Sequence, residues 1–185
     1  ILADELRLSE ADRRLIRVAT PLHDIGKIAI DDGVLRKPDR LTEAEFGHMK
    51  GHVLSGVGIL EMIPALGWAM PVIRSHHEKW DGSGYPDGLK GEAIPLVARV
   101  VAVADAFDAM TSDRPYRKGM PADAAFAELE AKAGSHFDPT CVTAYANARQ
   151  RVEAVLHRET SVSLQAETAS NTIDSRELER ARRGG

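Results

Sequence analysis

The sequence predicts an all-α domain, and three observations carry that expectation. Apolar residues recur at three- and four-residue spacing through most of the chain, helix-start patterns precede several of these runs, and no stretch alternates apolar with polar residues as a strand would. The 185 residues, 43% hydrophobic and 28% charged, provide one domain with a real core and too little for a second of full size.

Ser9, followed three residues later by Asp12, forms a helix start, and Leu15, Ala19 and Leu22 then share a face until Gly26 stops the helix. Thr42 with Glu45 makes a capping box, after which Phe46, Met49, Val53, Gly56 and Leu60 run along one face. Pro64 and Gly67 precede a shorter apolar stretch from Trp68 to His77. Pro95 suits the first turn of a helix through Leu96, Val97, Val100, Val101, Val103, Ala104 and Phe107, which is apolar nearly all round and therefore central. Helices from Ala122 to Ala133, with Gly134 as C-cap, and from Pro139 to about His157 complete the set. From Arg158 onward the chain turns polar, with few large apolar residues beyond Val162, Leu164, Ile173 and Leu178. The expected division is a domain over 1–157 and a polar tail or peripheral helix over 158–185.

A formal net charge of −4 does not favour duplex nucleic acid, so any phosphate-bearing ligand needs local cations or bound metal. Cys141 is the single cysteine, which excludes an internal disulfide and fits the reducing cytoplasm. No run reaches the roughly 18 apolar residues of a membrane span, and no charged-then-apolar leader opens the chain. The chain begins with Ile1 in helix-like sequence, as expected of part of a longer protein.

His76 and His77 stand side by side ahead of a segment, 78–94, that carries Gly82, Gly84, Gly88 and Gly91 and has no apolar period. Two imidazoles opening such a loop read as metal ligands, whereas the loop alone reads equally well as a surface hairpin anchored by a buried Trp80. Tyr85 offers this loop a ring face and a hydroxyl donor. Upstream, His23 and Asp24 are adjacent at a helix end; a carboxylate can bridge two cations while the neighbouring imidazole takes one. His48 and His52 have the i,i+4 spacing of a two-histidine face, but His52 lies toward the apolar side and His48 toward solvent, so His52 is the candidate. Asp105 falls among Val101, Ala102, Val103, Ala104, Ala106 and Phe107, where an unpaired carboxylate costs several kcal/mol. It is therefore paired to an arginine such as Arg99 or Arg114, protonated, or metal-bound. Asp108 reads as an outer hydrogen-bond acceptor, and His136 and His157 fall outside any constellation. Lys27 and the run Arg114-Pro115-Tyr116-Arg117-Lys118 supply cations, either as solvated charge or as an anion site.

These motifs together resemble the HD-GYP domain, a group within the HD hydrolase superfamily. The resemblance rests on His-Asp-Ile-Gly-Lys at 23–27, His-His-Glu at 76–78, Trp-Asp-Gly-Ser-Gly-Tyr-Pro at 80–86, and Asp-Ala-Phe-Asp-Ala-Met-Thr-Ser with Arg-Pro-Tyr-Arg over 105–117. It implies an HD-type helical bundle with the glycine-rich loop beside two divalent ions, iron or manganese first and zinc third. In that pattern Asp24 bridges the metals, His23 and Asp105 serve one ion, and His52, His76 and His77 serve the other. Lys27, Gly84, Tyr85, Pro86, Arg114 and Arg117 match positions around the substrate, with Asp24 and Lys27 closest to the chemistry. The family pattern also includes a further histidine on a preceding helix, and Ile1 to Leu8 resembles the end of that helix, so its N-terminal part is expected to be truncated here.

The implied activity is metal-dependent hydrolysis of cyclic di-GMP to pGpG, GMP or both, in bacterial second-messenger signalling. Two close cations suit a phosphodiester because they offset the charge of the phosphate and acidify water. The resemblance also implies a receiver or other sensor domain upstream and GGDEF proteins as partners. Two other readings compete. One is a module that binds the messenger and signals to a partner without turning it over. The other is an HD-type hydrolase of a different nucleotide, which the Gly84-Tyr85-Pro86 element argues against.

Overall fold

A computed structural model describes residues 1–113 and 117–158. Among them every regular element is helical, so the all-α expectation holds. The first compact unit is Ile1–Asn147. It contains α1 (Leu2–Glu5), α2 (Glu10–Ala19), α3 (Asp32–Leu35), α4 (Glu43–Lys50), α5 (His52–Glu61), α6 (Met70–Ser75), α7 (Leu96–Thr111), α8 (Ala122–Ala131) and α9 (Pro139–Asn147), with 3-10 turns at Thr20–Leu22, Ile25–Ala29, Pro64–Ala69 and Gly91–Ala93. The second unit begins at Ala148; within it residues 149–158 are helical, with Arg149 paired to Glu153 one turn on. The tail expected beyond this point lies outside the described residues. No described helix is long and apolar enough to cross a membrane.

α7 is the central element, as its all-round apolar sequence requires. It buries Val97, Ala98, Val100, Val101, Val103 and Phe107, each large side chain contributing about 1.5–3 kcal/mol of burial. On one side Val97 and Val101 join Ala19, Val57, Leu60, Ala69, Val72 and Ile73 in the main core. Toward its C-terminal half, Phe107 meets Phe126 of α8 and Tyr145 of α9 with ring centroids 4.8 and 5.1 Å away. α6, which leads into His76 and His77, packs directly on this helix.

Local chemistry sets the helix ends, and several differ from expectation. Ser9 caps α2 by accepting the Asp12 N–H at 3.1 Å, but the helix ends at Ala19, before Gly26. Pro21 has no N–H for the Arg17 carbonyl, and the Thr20 hydroxyl donates back to the Ile16 carbonyl at 2.6 Å. Gly26 lies instead within the second 3-10 turn, pressed against α5: a Cβ there would fall 1.9 Å from the His52 carbonyl oxygen and 2.4 Å from the Gly56 nitrogen. The expected run from Thr42 to Leu60 is divided at Gly51 into α4 and α5, the capping box holding as expected. The division turns Phe46 away from the core, leaving it 48% exposed. α8 stops at Ala131, short of the end expected near Ala133, whereas the run expected from Pro139 to about His157 is helical over 139–147 and again over 149–158, broken at Ala148.

The Gly26 contact predicts that Gly26→Ala lowers stability by about 2 kcal/mol or more. Gly58→Ala, where an added Cβ meets no atom within 4 Å, is expected to be neutral or stabilising by up to about 1 kcal/mol. Urea unfolding of both variants checks this, and equal costs would remove close packing as the reason for glycine at 26.

Candidate metal centre

Three backbone features aim the candidate ligands at one point. His23 and Asp24 lie between the 3-10 turns Thr20–Leu22 and Ile25–Ala29, His52 opens α5, and His76 and His77 follow α6. His23 Nδ1 lies 2.5 Å from the Thr20 carbonyl, His52 Nδ1 2.7 Å from that of Met49, and His76 Nδ1 3.0 Å from that of Ile73. A carbonyl oxygen only accepts, so each imidazole is fixed with its proton on Nδ1 and its Nε2 directed inward.

The atoms that result face one another across the centre without a well-formed hydrogen bond. Nε2 of His23, His52 and His76 and Oδ1 of Asp24 are buried without a hydrogen bond. Asp24, His52, His76 and His77 each present a ligand atom within 4.8 Å of the others. His52 Nε2 approaches Asp24 Oδ1 at 3.3 Å, and His23 Nε2 stands 3.3 Å from Asp24 Oδ2 and 3.4 Å from Asp105 Oδ1. Orphaned buried polar atoms are costly; four that converge, all nitrogen or carboxylate oxygen, fit a divalent cation. The cluster is thus a candidate divalent-metal site.

Electrostatics favour the same use. Burial, and after it the charge of His23, pushes His76 down to about 4; burial and then His76 push His77 down to about 3. Both imidazoles are therefore neutral near pH 7, the form that binds metal. For Asp24 burial opposes ionisation, but His23, His52 and Lys27 outweigh it and hold the carboxyl well below its usual range. Burial likewise opposes charge on His23, while Asp105 and Asp24 raise it to about 10, a proton that a cation would displace. Asp105 is not paired to Arg99, which instead binds Asp138 at 2.6 Å.

The 78–94 segment is held by Glu78, whose structural role the sequence did not disclose. Its buried carboxylate accepts the N–H groups of Asp87, Gly88 and Leu89 at 2.7, 3.1 and 3.0 Å. Gly84 packs its Cα against the Glu78–Lys79 backbone, a Cβ there falling 2.3 Å from the Lys79 nitrogen. The loop thereby lays the Tyr85 ring on His77, stacked with centroids 4.8 Å apart, and joins Tyr85 to Pro86 by a cis peptide bond. Burial, then Asp24 and Asp105, push the Tyr85 hydroxyl up, keeping it a donor. Trp80 is only half buried, and its backbone N–H donates to the His136 carbonyl.

The remaining candidates fall in several places. Lys27 contacts Asp24 Oδ2 directly. Arg117 donates to the Ala109 carbonyl near the end of α7, while Arg114 lies outside the described residues. His48 is exposed near Asp31, and Asp108 accepts from the Ser112 hydroxyl. His136, expected to stand apart, instead lines a cleft of about 170 Å³ with His76, His77, Lys79 and Asp105. Two larger clefts, of about 440 and 400 Å³, contain no candidate ligand.

Residues 1–141 match the HD domain family. The chain is 49% identical over 162 residues to the cyclic di-GMP phosphodiesterase response regulator RpfG of Xanthomonas campestris pv. campestris, an alignment covering 84% of this chain and 42% of that protein. A cyclic di-GMP phosphodiesterase of Thermotoga maritima is 44% identical over 160 residues, with 85% and 44% covered. The 3'3'-cGAMP-specific phosphodiesterase 3 of Vibrio cholerae is 40% identical over 144 residues, with 78% and 31% covered. The chain thus spans less than half the length of these relatives. Among solved structures, an HDG"Y"P protein of Bdellovibrio bacteriovorus has a TM-score of 0.62 at 20% identity, over 77% of this chain and 46% of that one, a likeness of fold.

Replacing Glu78 with alanine leaves three backbone donors without their acceptor and is expected to cost about 3 kcal/mol. Amide hydrogen exchange should accelerate at residues 87, 88 and 89 above all. Unchanged protection at those three amides would show that Glu78 does not organise the loop.

Proposed function

The chain belongs to the HD domain family, and on that premise we propose that it is a member of the HD-GYP group that hydrolyses cyclic di-GMP to pGpG, GMP or both. The observation that carries this reading is the set of buried Nε2 and Oδ1 atoms that converge from three segments without a well-formed hydrogen bond. The names of the Xanthomonas and Thermotoga relatives support the choice of substrate, and the name of the Vibrio relative makes 3'3'-cGAMP the alternative substrate to test.

His23 and Asp105 would hold one divalent ion and His52, His76 and His77 the other, with Asp24 shared; iron or manganese suits these donors first and zinc third. When bound, such ions supply charge for the phosphate oxygens and acidify a water. The chain's own residues do the rest. The backbone carbonyls of Thr20, Met49 and Ile73 keep the imidazoles oriented. Lys27 steadies Asp24 and brings an ammonium group to the same edge for the phosphoryl oxygens. Tyr85, fixed on His77, presents its hydroxyl to the substrate, with Gly84 and Pro86 shaping the loop around it. Arg114 and Arg117 are assigned to the phosphates as well.

The catalytic domain is taken to run over 1–157, with 158–185 as a polar tail or peripheral helix. A receiver or other sensor domain in the longer protein would regulate it, with GGDEF proteins as partners. A cytoplasmic setting suits the buried thiol of Cys141.

His76→Ala and His77→Ala should each lower bound metal and abolish hydrolysis while circular dichroism stays helical. Lys27→Ala should keep its metal and slow turnover by about 10- to 100-fold, the worth of a charged hydrogen bond of about 1.5–3 kcal/mol. Elemental analysis with a product assay on cyclic di-GMP and 3'3'-cGAMP checks both. Full metal occupancy in the two histidine variants would overturn the ligand assignment, and a filled site that cleaves neither dinucleotide would leave a binding module.

A further inference from the structure

Beside the metal centre lies a feature that neither the ligands nor the loop motif accounts for. The capping box of Thr42 and Glu45, and the ion pair of Lys37 with Glu45, fix the start of α4 at 2.7–3.3 Å contacts. Phe46 and Lys50, four residues apart, therefore share one face of a well-anchored helix. That face meets Tyr85: the Phe46 ring stands edge-on to the Tyr85 ring at 6.4 Å, and Tyr85 is stacked on His77. Lys50 Nζ lies 5.3 Å from the Phe46 centroid and 5.9 Å from that of Tyr85. Among the described residues no carboxylate is paired with Lys50, in contrast to Lys27, Lys37 and Lys118, and of the lysines without one it is Lys50 that stands over the Tyr85 ring. A half-exposed aromatic ring and a cation without an anionic partner thus stand one residue beyond a metal ligand.

We propose that Phe46 and Lys50 form a substrate subsite that takes the part of a cyclic dinucleotide remote from the metals, a purine face on Phe46 and the second phosphate on Lys50. This rests on the phosphodiesterase reading above. A cyclic dinucleotide carries two phosphates and two bases, and only one phosphate is cleaved at a time. The cleft that His76, His77 and Asp105 share with Lys79 and His136, about 170 Å³, is smaller than the roughly 300–1,000 Å³ that enclose a drug-sized ligand, and a cyclic dinucleotide engages surface beyond it. Base stacking on an exposed ring gives affinity without demanding one base, and a lysine held over two rings keeps its ammonium close to that base. The two residues favour a dinucleotide over a simple phosphodiester and take no part in the bond cleavage.

The test uses manganese-loaded protein, with Phe46→Leu and Lys50→Met as variants. Calorimetric affinity and KM for cyclic di-GMP should each weaken about tenfold, while metal content and kcat stay within about twofold. Kinetics on bis(p-nitrophenyl) phosphate, which has no second nucleotide, should also change by less than about twofold. Unchanged dinucleotide affinity in both variants, or an equal loss on both substrates, would overturn the subsite. Native protein that binds cyclic di-GMP without cleaving it would end the phosphodiesterase reading, yet the affinity loss in the variants would still support the subsite. Native protein that does not bind it would overturn both.

Discussion

The contact between Gly26 and the first turns of α5 is the constraint on which the metal centre depends. With no Cβ at 26, the 3-10 turn after Asp24 lies against the His52 carbonyl and the Gly56 backbone. That approach sets the His23–Asp24 pair beside His52, Oδ1 of Asp24 reaching its Nε2 at 3.3 Å. α5 in turn packs Val57 and Leu60 into the core with Val72 and Ile73 of α6, and α6 delivers His76 and His77. Placement of the ligands is thus a consequence of helix packing, with one glycine deciding how closely two segments meet.

The centre is electrostatically unfinished as protein alone. Burial removes the water that would satisfy Asp24 Oδ1 and three Nε2 atoms, and the surrounding backbone saturates only the opposite edge of each ring. Stability alone does not favour such an arrangement. Divalent cations supply the missing partners, and the lowered pKa values of His76 and His77 leave those two rings neutral near pH 7, with no extra proton for a cation to displace. The apolar mass of α7 and the Phe107–Phe126–Tyr145 cluster offset the cost of holding these groups together.

Much of this could be read from the sequence, for identifiable reasons. The helices carry 3.6-residue periodicity and explicit caps at Ser9 and Thr42, so their existence and order were legible. The six candidate ligands stand in short motifs of adjacent or loop-opening polar residues that packing does not explain, and the structure brings them together. What escaped depends on contacts between distant segments. Glu78 is an ordinary acid in sequence and becomes a loop organiser only when residues 87–89 fold back on it. Gly26 reads as a helix stop, whereas its role is set by α5. His136 has no periodic link to the ligands, yet its loop docks on Trp80 and places it in their cleft. Phe46 fits an apolar face on paper until Gly51 divides the helix.

The central claim is that buried Nε2 and carboxylate atoms from these segments hold divalent cations. Anomalous diffraction from manganese-loaded crystals, recorded on both sides of the manganese edge, tests it most directly. The account predicts peaks about 2.0–2.3 Å from the Nε2 atoms of His23, His52 and His76, with Asp24 between them. Ions ordered elsewhere, or no anomalous peak at these atoms under saturating manganese, would contradict it.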